Sequence, residues 1–155
     1  MIWTVFSTVL SGVTVYVLGQ LVVKLVIEPV QETRNTIGQI SHTLIEDGDA
    51  IHNAAFKSEV VSQERANEVS QHLRKLSAQL HSHLFLVPCY QETARIFRLP
   101  TRDGILAASE KLMWISNSFR SSMEDVHKQI TTREESICNV LGIYFPKDRR
   151  WPKYD

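Results

Sequence analysis

Arg95, Arg98 and Arg102 recur at helical spacing inside the run Ala94-Arg-Ile-Phe-Arg-Leu-Pro-Thr-Arg102, interleaved with Ile96, Phe97 and Leu99. Planar guanidinium groups at that spacing suit anionic oxygens. They can clamp a phosphate through paired N–H donors, or meet acidic lipid headgroups at about 1 kcal/mol per arginine near a membrane surface. The three arginines are therefore the candidate ligand- or lipid-binding residues. The competing reading is a packed aliphatic and aromatic edge with solvated arginines, and Pro100 interrupts any continuous helix through the run.

Other chemistry is sparser. The six histidines, His42, His52, His72, His81, His83 and His127, are scattered, and the close pair His81 and His83, two apart on a helix, faces two directions. No metal site is expected. The serines form neither a G-x-S-x-G elbow nor an S-x-x-K arrangement, and the sequence has no phosphate-cradling glycine loop or dinucleotide fingerprint. The carboxylate pairs Glu134/Glu135 and Asp47/Asp49 read as solvated helix ends or turns. Neither catalytic residues nor a cofactor is expected, so the chain reads as a non-enzyme. Cys89 and Cys138 make no C-x-x-C or Cys/His zinc spacing and no disulfide framework, which suits a reducing compartment.

These residues must be positioned by helices. The chain has 155 residues and no formal net charge, yet its charge is unevenly distributed. No charged side chain occurs from Met1 to Val23, a run that would rise roughly 34 Å as a helix against a hydrocarbon core of about 30 Å. A cleaved signal peptide is disfavoured, because no basic residue opens the chain and the bulky Leu25, Val26 and Ile27 follow the run. A buried core helix is disfavoured by the length of the run and by the small residues Thr4, Ser7, Ser11, Gly12, Thr14 and Gly19. Residues 1–27 are thus expected to be a transmembrane anchor. Lys24 marks the membrane boundary by extending its ammonium to the headgroups, and Pro29 opens the stalk. Lys24 and Arg34 on the C-terminal flank place the N-terminus outside and the remainder in the cytoplasm, at a cell inner membrane.

Residues 28–143 are expected to form a cytoplasmic antiparallel bundle of three to four helices, making the protein all-α, and 144–155 a basic and aromatic tail. Val30, Ile37, Leu44 and Ile51 recur every seven residues with Ile40 on a companion position, and the register extends back to Val23 and Tyr16. This stripe is the candidate self-association surface, of coiled-coil type. Pro29 either kinks one helix or begins a second. A break is expected around 53–58. A second amphipathic helix then runs through Val61, Val69, Leu73, Leu76, Leu80 and Leu84 to Pro88, and one short helix lies between Pro88 and Pro100. Thr101 should cap a long third helix that continues towards Ile130, and Thr132-Arg-Glu-Glu135 should restart a fourth that ends at Gly142.

The leading expectation is a single-pass membrane-anchored helical interaction or scaffold protein that self-associates or binds a partner protein, with the lipid bilayer as its other partner. The first alternative is a ligand-responsive membrane effector whose helical domain senses a phosphate-bearing small molecule, and a weaker one is a membrane-anchored enzyme. Nucleic acid is not an expected partner: zero net charge gives no general attraction to it, although the tail mixes bases with aromatics.

Overall fold

The computed structural model describes residues 2–55, 63–119 and 126–144. Every regular element among them is helical: α1 (Ile2–Val22), a π-helical turn (Val23–Ile27), α2 (Glu28–Glu46), α3 (Gly48–Ala55), α4 (Gln63–Leu86), α5 (Tyr90–Phe97), α6 (Arg102–Ser118) and α7 (Val126–Leu141).

The stretch Trp3–Glu46 is one continuous helix of 44 residues, long and apolar enough at its N-terminal end to cross a membrane. The choice left open at Pro29 is resolved by the π turn. Proline lacks an N–H and its ring would clash with the carbonyl four residues earlier. The helix widens immediately before it, and the Glu28 N–H donates to the Val23 carbonyl five residues back instead of four. Pro29 then occupies the first turn of α2, and the Thr33 hydroxyl donates to its carbonyl at 2.8 Å.

Beyond the π turn the chain acquires an interior. Val30, Ile40, Leu44 and Ile51 are buried and Ile37 is half-buried, so the seven-residue stripe lies against the chain's own helices. α2 ends at Asp47, where the backbone leaves helical geometry before Gly48, and α3 carries Ile51 into the same core. α4 returns antiparallel to α2. Thr36 meets His83 near one end of the pair, and Asp47 meets Arg65 near the other.

α4 also packs on α6, and serines make that approach close. The Ser70 hydroxyl donates to the Ser116 carbonyl at 2.9 Å, the Ser116 hydroxyl donates to the Ser70 carbonyl at 2.8 Å, and Ser77 donates to the Ser109 carbonyl at 2.7 Å. The paired numbers rise on one helix as they fall on the other, which fixes an antiparallel register. Between these clasps Leu73 and Leu76, and just beyond them Leu80, meet a core that includes Ile105, Leu112 and Ile115.

Thr101 caps α6 as its position implies, its hydroxyl oxygen accepting from the Gly104 N–H at 3.1 Å. α6 stops at Ser118, however, and the fourth helix does not restart at Thr132. Val126 already begins α7, and the Thr132 hydroxyl donates back to the Lys128 carbonyl at 2.9 Å instead of accepting at a helix start. The reason is the buried face of α7: Val126 and Ile130 continue into Ile137, Cys138 and Leu141, with Glu134 between them paired to His52, and burying that whole face outweighs a capping pattern in its middle. Residues 56–58 of the expected break, Val61 of the expected second helix and 145–155 of the tail lie outside the described residues.

Gly104 marks a close contact between α6 and α7. A methyl added there would lie 2.9 Å from Val140 Cγ1, and valine has one strongly preferred rotamer in a helix. Gly104→Ala should lower unfolding stability by roughly 1–3 kcal/mol through overpacking. Adding Val140→Ala to the same chain should restore most of the loss, read by chemical denaturation followed by circular dichroism.

Candidate functional site

The three arginines lie around α5, at the end of the packed helices nearest α1. α5 is a short helix held between two prolines by its own polar groups. The Thr93 hydroxyl donates to the Pro88 carbonyl and the Tyr90 hydroxyl to the Pro100 carbonyl, each at 2.9 Å. Burial pushes the Tyr90 phenol up to about 12, so it remains a donor throughout the physiological range. Cys89 before the helix and Arg98 after it both take left-handed backbone angles, φ 45° and 53°. At the C-terminal end the Leu99 N–H donates to the Ala94 carbonyl at 2.9 Å, closing the helix in the manner usually given to glycine.

Arg34 ties this corner to the stalk. Its guanidinium donates to the Phe97 carbonyl at 2.6 Å, placing a fixed positive charge at the C-terminus of α5, where the helix dipole favours it. Arg34 was noticed in the sequence only as a flanking charge. Its contact spans 63 positions and leaves no periodic trace.

Arg95, Arg98 and Arg102 are all exposed, and none of their side chains makes a hydrogen bond or ion pair among the described residues. Apolar groups share this end of the molecule. Phe85 is 75% exposed, Leu86 53% and Ile96 74%, whereas Leu99, Val87 and Tyr90 are buried and Phe97 packs against the core. The two readings of the arginine run are thus divided by residue: Leu99 and Phe97 close the core, and Ile96 with the arginines faces outward. Burying Phe85, Leu86 and Ile96 would contribute roughly 1.5–3 kcal/mol apiece. That exceeds the roughly 1 kcal/mol per arginine at an anionic surface, so at such a surface the apolar side chains would supply the larger share. Lys24 is exposed in the π turn and Pro29 half-buried just after it.

Two other groupings have chemical potential. In the first, His52 Nε2 lies 3.0 Å from Glu134 Oε2, with both side chains almost fully covered, and the His127 ring centroid is 4.7 Å from that of His52. This polar contact joins α3 to α7. Burial, the neighbouring Glu134 and then Glu135 push the Cys138 thiol up to about 11, which keeps it protonated and unreactive. The second is a cleft of about 430 Å³ lined by His42, Thr43, Glu46, Asp47, Arg65, Glu68, Val69 and His72. Its three carboxylates oppose one arginine, a balance ill suited to phosphate. Among the described residues no group of three or more His, Cys, Asp or Glu is arranged to hold a metal ion.

His81 and His83 do face different ways, the first exposed and the second buried. His83 Nε2 is 2.9 Å from the Thr36 hydroxyl. Burial pulls its pKa below the ordinary 6.5, and nearby Glu32 opposes part of that effect. The unfolded chain therefore takes up a proton at higher pH than the folded one. The stabilisation is complete above pH 6.5 and is lost as pH falls through that value towards the lower folded pKa. His127 adds to this in the same direction, its pKa lowered by burial and then by His52, against Glu134. Thermal unfolding followed from about pH 8 to pH 5 should show a falling midpoint, with a shallower slope in His83→Leu.

Compared with protein-family models, curated proteins and solved structures, this chain matches none.

Proposed function

We propose that the protein is a single-pass, membrane-anchored helical interaction protein. In this reading α1 crosses a cell inner membrane with its N-terminus outside. The later helices form an antiparallel cytoplasmic bundle, and copies of the chain associate or recruit a partner protein. The observation that carries the reading is the continuity of Trp3–Glu46: the apolar helix enters the packed helices without a flexible link.

Two features support it. The described side chains of α1 are all exposed, including Trp3, Phe6, Leu10, Tyr16 and Leu18, and so much apolar surface needs a non-aqueous environment. Helix α1 with the π turn spans Ile2 to Ile27, a rise of roughly 39 Å, enough for the hydrocarbon core and the start of the headgroup layer.

Self-association fits α1 better than α2. The α2 stripe of Val30, Ile40 and Leu44 is already inside the chain's own core, and presenting it to another copy would require unpacking α4. On α1, by contrast, Gly12 and Gly19 lie seven residues apart on the same side as Tyr16, and a methyl at either glycine would meet nothing within 4 Å. Small residues on one helix face let two backbones approach in lipid. The phosphate-sensing alternative has no comparable support, since the arginines around α5 are exposed and the cleft is rich in carboxylates.

Both parts can be tested on the full chain in lipid. Anchoring requires that the protein stay with the membrane after alkaline carbonate extraction. For association, single cysteines are placed in a Cys89→Ser background. Oxidative crosslinking should be strong at Tyr16→Cys and weak at Leu18→Cys on the opposite side of α1. Equal crosslinking at both positions would remove the association reading while leaving the anchor intact.

A further inference from the structure

We propose that the corner between α4 and α5 is an interfacial foot, in which Phe85, Leu86 and Ile96 enter the headgroup layer while Arg95, Arg98 and Arg102 engage anionic lipid. The bilayer concerned is the one that α1 enters, so the inference rests on the reading of α1 as a span.

The placement follows from the helix directions. α4 runs antiparallel to α2 with His83 opposite Thr36, so Leu86 is level with about residue 33 of the stalk. That is six residues past Ile27, a rise of about 9 Å. A headgroup layer is roughly 5–8 Å thick on each side, and an arginine or phenylalanine side chain covers most of the remaining distance. The packed part also begins low: Val26 and Ile27, still in the apolar run, are half-buried, and Val30 is fully buried. The corner therefore lies beside the end of the anchor.

The chemistry matches that location. Phe85, Leu86 and Ile96 project into solvent although α4 and α5 each have a buried face available for apolar residues. Three arginines without partners among the described residues stand beside them. Apolar groups at the tip of a corner, flanked by arginines, are the pattern of a segment that inserts shallowly and holds headgroup phosphates. Glu28, Glu32, Glu92 and Asp103 lie at the same end and offset part of the positive charge. Recognition accordingly depends on where the arginines stand rather than on a net basic charge. The clasp from Arg34 to Phe97 makes the foot rigid with respect to the stalk, so docking also fixes the tilt of the packed helices.

The chain carries a convenient reporter. Cys89 is exposed at this corner and Cys138 is buried with its thiol pushed up to about 11, so a maleimide dye labels Cys89 selectively. The full-length protein, labelled with an environment-sensitive dye, is reconstituted into phosphatidylcholine vesicles with and without phosphatidylserine. With phosphatidylserine present the emission should shift to the blue, and a headgroup-attached nitroxide should quench it. The triple variant Phe85→Ser, Leu86→Ser, Ile96→Ser should lose the shift seen with phosphatidylserine. In Arg95→Gln, Arg98→Gln the docked-to-free ratio should fall roughly thirtyfold in anionic vesicles only. Continued protection of Cys138 from labelling confirms that each variant is folded. Emission that ignores lipid composition and is not quenched, in protein that resists carbonate extraction, overturns the foot and leaves the anchor standing. Release by carbonate overturns the anchor itself. A shift that follows the protein-to-lipid ratio, not phosphatidylserine, assigns the corner to contact between copies and also overturns the proposal.

Discussion

The whole arrangement depends on α4 being clasped on two sides at once. Its leucines, Leu73, Leu76 and Leu80, fill the core, while Ser70 and Ser77 let α6 approach closely enough for hydroxyls to reach backbone carbonyls on the neighbouring helix. Larger residues at those serines would push α6 outward, and α7, which packs on α6 through Gly104, would follow. α2 gains its buried face chiefly from α4, with α3 and α7 contributing less. Each such hydrogen bond contributes about 1 kcal/mol net, so the clasp acts less through its own energy than by setting the distance at which the apolar side chains interlock.

Much of the helical arrangement was legible in the sequence, because the relevant signals are local. The uncharged opening run, the spacing of Val30 to Ile51, the prolines bracketing α5 and the capping hydroxyl of Thr101 each act within a few residues. Thr132 misled because a capping pattern is also local, and it lost to an apolar face extending from Val126 to Leu141. Of the site, the positions of Arg95, Arg98 and Arg102 could be read, but not their exposure or their apolar companions. Phe85 and Leu86 resemble core residues in sequence, being the last apolar positions of an amphipathic helix. They lie off the stripe of Leu73, Leu76 and Leu80, on the exposed side of α4. The contacts from Arg34 to Phe97, His52 to Glu134 and Ser70 to Ser116 join distant positions and leave no periodic signal.

Polar groups inside this protein act mainly as fasteners between helices. His52 with Glu134 joins α3 to α7, Thr36 with His83 joins α2 to α4, and the serines join α4 to α6. A short helix such as α3 buries little apolar surface of its own. A buried ion-pair-capable contact gives it a specific place against α7 at a cost in desolvation. Glu134 Oε1 has no hydrogen-bond partner among the described residues, which adds to that cost.

The widened turn before Pro29 has a geometric effect on the long helix. A bond reaching five residues back accommodates one residue more than α geometry would, equivalent to about 100° of rotation. Positions seven apart in the chain, such as Val23 and Val30, therefore do not share a side across it, although they do within α1 or within α2. The turn acts as a phase offset between two otherwise regular screws. Deleting one residue there would rotate the corner between α4 and α5 about the stalk axis relative to the face of α1 that carries Gly12, Tyr16 and Gly19, leaving the contacts within each half unchanged.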